Sequence, residues 1–448
     1  MLCAMTQLVE RLFTLEARRT TVARELGGAL ATFLTMAYIL FANPGILAAA
    51  GVPFESAVAA TALAAGICSI AMGLIANVPI ALAPGMGLNA VVAFQLTAAT
   101  GSWQAAMGLV VVEGLAVLLL VLAGVRAAVM AAIPVDLRRA IGAGIGLFIA
   151  FIGAVNARLV VVPAATVAGL ARDPSLRLPP VTAGSLRNPE ALLAALGLLL
   201  IAVLVARRQR GALLIGILGT TAAAVAIGQA SLPAGAWWSW PHLTTAGAAD
   251  LSAAMKWSAV PLVMSLMLVD FFDTIGTATG IAEEAGIVEP DGTIPRLKAL
   301  LAVDALSASI GGWLGASSVT SYIESAAGVA DGARTGLHSV GVGLMFLAAA
   351  FFAPMASVVP VCATAPALIA VGFLMCGSLA RIDFGEPGTA IPAFIIVLLI
   401  PLTYSIAHGI GFGSVAYVAI AALRGRVRDV HPVMYGVAAA FIAYFVIA

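Results

Sequence analysis

Fourteen apolar runs, most of them about 16 to 25 residues long, restrict the fold of this chain more than any other feature of its sequence. They lie near residues 28–49, 56–77, 83–99, 104–125, 139–157, 191–206 and 211–229, then near 258–281, 299–315, 321–330, 336–353, 361–380, 389–405 and 408–423. That length matches the ~30 Å of hydrocarbon a helix must cross, and in lipid only helices or closed barrels leave no backbone polar group unpaired. The chain is read as an all-α polytopic membrane protein. Its 62% hydrophobic and 10% charged residues agree, since a soluble domain carries about 25% charged. A net charge of +1 offers no electrostatic footprint for nucleic acid. Cys3, Cys68, Cys362 and Cys376 lack metal-ligand spacing and read as small packing residues, so neither metal nor cofactor is expected.

The cations orient the runs. Residues 1–26 hold Arg11, Arg18, Arg19 and Arg24 without the apolar core and small-residue cleavage site of a signal peptide, and read as a cytoplasmic lead-in. Counting runs from there, Arg126, Arg138, Arg139, Arg207, Arg208, Arg210, Arg296, Lys298, Arg334, Arg381, Arg424, Arg426 and Arg428 fall on the same side. Arg158, Arg172, Arg177, Arg187 and Lys256 fall on the other. The excess marks the cytoplasmic face. Trp237, Trp238 and Trp240, in the long outer loop 230–257, suit the headgroup level. The segment 431–448 exceeds the count of fourteen and is left open as a further span, an interfacial helix, or a sign that 389–423 is one broken element.

Among the runs that carry carboxylates, where a charge costs at least ~2.5–3.5 kcal/mol on insertion scales and marks an ion or substrate path, the eighth and the tenth stand out. The eighth contains Asp270, Asp273 and Thr277, spaced i, i+3, i+7 on one helical stripe. The tenth contains Thr320, Tyr322 and Glu324, which an extended backbone would turn to one side. Asp273 and Glu324 are the functional candidates, while Asp270 either joins them or links helices. Glu113 and Asp304 read as buried carboxylates hydrogen-bonded between helices. Asn43, before Pro44, reads as a partner for carbonyls freed at a helix break.

The third and tenth runs hold the same place in each set of seven, and both are irregular. The third opens Asn77-Val-Pro79-Ile-Ala-Leu-Ala-Pro84-Gly85-Met-Gly87, where prolines and glycines disfavour a continuous helix, and the tenth opens with the Ser/Thr-rich stretch 317–321. Interrupted runs in matching places of two halves point to a transporter binding site, with half-helix N-termini aimed at a shared centre. A tyrosine that stacks on a planar ring and carboxylates that accept its N–H hydrogens would suit a heteroaromatic base.

At these residues the chain resembles a known family. The runs Thr32-Phe-Leu-Thr-Met-Ala-Tyr38-Ile-Leu-Phe-Ala-Asn43-Pro44, Ala83-Pro-Gly-Met-Gly-Leu-Asn89-Ala90, Phe271-Phe-Asp-Thr-Ile-Gly-Thr277 and Thr320-Ser-Tyr-Ile-Glu-Ser-Ala-Ala-Gly328 are similar to those of the azaguanine-resistance-type purine permeases. These belong to the nucleobase-cation symporter-2 superfamily. The resemblance, from about residue 20 to about 440, implies a seven-plus-seven inverted repeat with core and gate domains and an elevator-like movement between them. The core would comprise 27–130 and 258–354, the gate 131–257 and 355–430, with 431–448 a separate apolar segment.

The resemblance also implies substrate-binding acids at Asp273 and Glu324, with Thr277 and Tyr322 beside them and Asn89 and Thr35 as further site residues. It implies import of adenine, guanine or hypoxanthine through the plasma membrane. Proton symport is the expected coupling, because two acids near one site favour a protonated form of one of them. Where uracil-type members carry glutamate and, four residues on, histidine, this chain has Asp273 and Thr277, which fits the azaguanine-type branch. Another planar heterocycle such as uracil or xanthine is the alternative cargo, and the pairing of two copies is left open. An intramembrane hydrolase is the rival class, but no Gly-x-Gly-Asp or His-Glu-x-x-His motif occurs, and neither Lys256 nor Lys298 follows a glycine as an ATP-binding phosphate loop requires. No enzyme activity is expected.

Overall fold

A computed structural model describes residues 9–124, 133–173, 180–232, 235–256, 259–289 and 293–447. Cys3, Arg126 and Arg177, and the expected domain boundaries at 130/131 and 257/258, lie outside the described residues. The membrane elements, in chain order, are α1 (Val22–Ala48), α2 (Phe54–Ala76), β1 (Leu82–Pro84) leading into α3 (Met86–Thr100), α4 (Trp103–Leu122), α5 (Val135–Asn156), α6 (Pro189–Ala206) and α7 (Ala212–Ala226). The second set is α8 (Val260–Glu284), α9 (Leu297–Leu314), β4 (Val319–Ser321) leading into α10 (Ala326–Ala330), α11 (Gly336–Ala356), α12 (Val361–Arg381), α13 (Pro387–Leu402) and α14 (Ile406–Leu423). Between α5 and α6 lie the short hairpin β2 (Val160–Val161) and β3 (Thr182–Ala183) and a helix over Ala164–Arg172. The open segment at the C-terminus is a fifteenth helix, α15 (Pro432–Ile447), packed on α14 through buried Phe441.

Helix starts follow local chemistry. Ser102 accepts from the Ala105 amide, Asn188 from Glu190 and Ser405 from His408, each satisfying a first-turn N–H that a helix leaves open. The first membrane helix begins at Val22, inside the expected lead-in, because Thr21 caps it and Glu25 is fully buried. Asn43, ahead of Pro44, donates to the Thr61 hydroxyl at 2.8 Å and the Ala316 carbonyl at 3.0 Å, the role expected of it.

The packing carries the repeat. Replacing each element by the one seven places along carries most of the packed pairs onto packed pairs. The pair α4–α9 becomes α11–α2, α5–α13 becomes α12–α6, α6–α7 becomes α13–α14, and α1–α11 becomes α8–α4. The pairs α5–α12, α2–α9 and β1–β4 map onto themselves, so they lie on the pseudo-twofold axis. The elements α1–α4 and α8–α11 pack chiefly on one another, as do α5–α7 and α12–α14, and α1, α3 and α8 make the crossing contacts.

On that axis the chain leaves the helical state, which inside a membrane requires every freed backbone group to find a partner. The strands supply them. Leu82 pairs with Ser321, Ala83 with Thr320 and Pro84 with Val319, antiparallel, and the ladder continues through Tyr322 N–H to Ala81 O (3.0 Å) and Gly85 N–H to Ser318 O (2.9 Å). Ser69 accepts from the Leu82 amide at 2.8 Å, and Ser325 accepts from Ala81 at 3.0 Å. α3 and α10 therefore start from crossed strands, with their N-terminal dipole ends in the protein interior.

Candidate functional site

The crossed strands are held from behind by Asp304 of α9. Its fully buried carboxylate accepts from Thr274 Oγ1 (2.5 Å), Ser321 Oγ (2.8 Å) and Ser321 N–H (3.0 Å), with Thr320 Oγ1 at 3.5 Å. This is the interhelical carboxylate the sequence suggested. It also overturns the expected alternation of Thr320, Tyr322 and Glu324 to one side. β4 is only three residues long, and Asp304 draws the hydroxyls of both Thr320 and Ser321, so period-two facing is lost.

In front of the strands opens a cavity with about 420 Å³ of empty space, part of it open to solvent. α8 contributes Asp273 and Thr277, and the turn after β4 contributes Tyr322 and Glu324. The start of α3 contributes Gly85, Met86 and Gly87, and Val371 and Met375 of α12 close the far wall. The two acids singled out from sequence thus share one cavity, with Thr277 and Tyr322 beside them. Asp273 is open to the cavity and Glu324 is half-buried. The Tyr322 hydroxyl donates to Pro84 O at 2.6 Å, which fixes its ring against the break in the third run.

Three residues lie elsewhere. Asp270 is fully buried and outside the cavity wall. Thr35 directs its hydroxyl to Ala31 O (3.1 Å) and Thr32 O (2.8 Å) of its own helix, and Asn89 is buried with Nδ2 3.4 Å from Pro84 O. Neither lines the cavity.

One wall residue escaped the sequence reading. Tyr38, where α1 bends, donates its hydroxyl to Glu324 Oε1 at 3.0 Å. Its signal was a tyrosine inside an apolar run, six residues before Pro44. Glu25 was missed too. Its carboxylate accepts from the amides of Arg334 (2.8 Å), His338 (3.2 Å) and Thr335 (3.3 Å), where an acid favours the N-terminus of α11. Thr32 adds a second tie, 2.8 Å from His338 Nε2 and accepting from Gly328 N–H at 3.1 Å. Together these latch α1 to α10 and α11.

Chemically the cavity offers two carboxylates, a threonine and a serine hydroxyl, two tyrosine rings and apolar walls, with no cationic side chain in its wall among the described residues. Such a lining accepts N–H donors from a planar guest and gives it a face to lie on.

Comparisons with known proteins give the family. The family model described as Permease family matches residues 24–412. Adenine permease AdeQ of Escherichia coli (strain K12) is 40% identical over 435 residues, covering 97% of this chain and 95% of that protein. Guanine/hypoxanthine permease PbuG of Bacillus subtilis (strain 168) is 40% identical over 447 residues, covering 97% and 98%. Among solved structures, the transmembrane domain of a cyanobacterium bicarbonate transporter, BicA, shares the fold with a TM-score of 0.61 at 17% identity, covering 86% of this chain and 96% of that one. The murine anion transporter Slc26a9 in its inward-facing state gives 0.66 at 11% identity, covering 93% and 72%. The chain is a multi-pass membrane transporter, not an enzyme, and it belongs to the Permease family, among the purine permeases of the nucleobase-cation symporter-2 group that its four motifs resemble.

Proposed function

We propose that this protein imports a purine nucleobase, adenine, guanine or hypoxanthine, across the plasma membrane, and that Asp273, Glu324, Thr277 and Tyr322 bind it. The observation that carries the reading is the single cavity into which α8 and the β4–α10 turn deliver both carboxylates and a tyrosine ring. Relatives 40% identical over nearly the whole chain bear the names of adenine and of guanine/hypoxanthine permeases, which supports the cargo. Asn89 and Thr35 act indirectly, by shaping the backbone of α3 and α1.

The transport cycle is read as proton symport. Two carboxyl groups around one guest favour a protonated form of one of them, so base binding and protonation are linked. Either Asp273 or Glu324 carries that proton. Core and gate domains moving against each other deliver the site to alternate sides, a division supported by the two packing groups that meet through α1, α3 and α8. The N-terminus lies in the cytoplasm, as the arginine excess on that face indicates. Exposed leucines such as Leu119 and Leu199 face lipid.

Uptake of labelled hypoxanthine into cells lacking their own base transporters, with unlabelled bases as competitors, tests this reading. Adenine or guanine should compete and uracil should not; competition by uracil or xanthine alone would reassign the cargo. Glu324→Gln should abolish uptake while the protein remains in the membrane. A protonophore should abolish accumulation, and unchanged accumulation would refute proton coupling.

A further inference from the structure

Outside the base cavity, three arginines converge on one space. Arg138 and Arg139 near the start of α5 and Arg381 at the end of α12 line a cavity with about 730 Å³ of empty space, part of it open to solvent, together with Ser378 and Thr279, and among the described residues no carboxylate stands in its wall. Arg139 is partly spent, with Nη1 3.0 Å from Asp136 Oδ1 and 2.5 Å from Arg381 O. The other two are not. Among the described residues neither Arg138 nor Arg381 has a carboxylate within ion-pair distance, and Arg138 Nε is enclosed with no hydrogen-bond partner. An enclosed donor without an acceptor is costly, and guanidinium forks match the oxygens of a phosphate two at a time. The first-turn amides of α5 add positive potential at the same place.

The position of this space matters as much as its charge. An intermediate cavity shares Arg138 and Gly142 with the arginine cavity, and shares Gly87, Asp273 and Met375 with the base cavity. The three spaces lie in series. The walls of the outermost come from α5 and α12 on one side and from Ile275, Gly276 and Thr279 of α8 on the other, so an occupant touches both packing groups.

We propose that the arginine cavity binds a phosphate-bearing anion, and that an anion held there obstructs the passage between the base cavity and the arginine-rich face. The shared chemistry is the phosphate group, supplied either by an anionic lipid headgroup or by a soluble phosphate compound. The binding clause stands independently of the purine reading; the obstruction clause rests on it.

The test uses the full chain in nanodiscs of phosphatidylcholine, exposed in separate arms to inorganic phosphate, to adenosine monophosphate, and to phosphatidylglycerol in the bilayer. At a hundredfold excess over the dissociation constant, a bound anion should raise the melting temperature by about 3 °C. A rise with phosphatidylglycerol alone assigns the site to lipid, and a rise with the soluble compounds assigns it to free phosphate. The rise should vanish in Arg138→Gln/Arg381→Gln, shrink in Arg138→Lys/Arg381→Lys, which keeps the charge without the fork, and persist in Asp273→Asn. Absence of a rise in every arm, or an equal rise in the glutamine pair, overturns the site. Should the glutamine pair fail to fold, Arg381→Gln alone carries the same comparison.

In proteoliposomes, the effective anion placed on the arginine-rich face should slow base uptake in the wild type and not in the glutamine variant. Unchanged wild-type uptake overturns the obstruction clause. If no base binds at all while the anion still raises the melting temperature, the purine reading has failed and the site has not.

Discussion

Replacing Asp304 by asparagine separates the scaffold of the site from its chemistry. The carboxylate holds three short bonds, from Thr274 Oγ1 at 2.5 Å and from Ser321 Oγ and N–H at 2.8 and 3.0 Å. In Asp304→Asn the amide oxygen still accepts from Ser321. The NH₂ group then faces Thr274, whose hydroxyl must turn from donor to acceptor. What is lost is the charge assistance, about 1 kcal/mol per bond from the difference between charged and neutral hydrogen bonds, or roughly 3 kcal/mol in all. That is a sizeable part of the ~5–15 kcal/mol by which a fold is stable. Thermal unfolding of the purified protein should show a fall of roughly 3 °C. Because Asp304 lies behind the strands and outside the cavity wall, the folded variant should bind base within about tenfold of the wild type, a change of no more than ~1.4 kcal/mol. Unaltered thermal stability would refute the scaffold argument, and loss of binding with full stability would make Asp304 a site residue.

Two further changes test single bonds. Tyr38→Phe removes the hydroxyl donated to Glu324 Oε1, a bond to a charged partner worth about 1.5–3 kcal/mol, and should weaken base affinity by roughly ten- to a hundredfold in an equilibrium binding assay. Affinity equal to the wild type would mean that this bond does not orient Glu324. Glu25→Gln weakens the three amide bonds that tie α1 to α11 and should cost about 1–2 kcal/mol of stability in the same unfolding assay, with base affinity retained.

Fold and site were legible in the sequence to different depths. The run lengths and the breaks at Pro79–Gly87 and at 317–321 announced the repeat, because a bilayer dictates helix length and allows broken backbone only where protein can pair it. Asp273 and Glu324 were legible because an acid in an apolar run is costly. Partnerships across long separations were not. Tyr38 and Glu324 are 286 residues apart, and nothing local to Tyr38 marks it as a donor to an acid. Glu25 sat among the arginines of the cytoplasmic lead-in and was not singled out, yet it is buried and accepts from the Arg334, Thr335 and His338 amides. The facing of Thr320 failed for a related reason: strand periodicity assumes neighbours on both sides, and here Asp304 set the side-chain directions instead.

The account stands most directly on where a purine comes to rest. An experimental structure of the protein with bound hypoxanthine should place the ring against Tyr322, with its N–H groups within hydrogen-bond distance of the Asp273 and Glu324 carboxylates. A ring bound elsewhere, with both carboxylates facing an empty cavity, would contradict it.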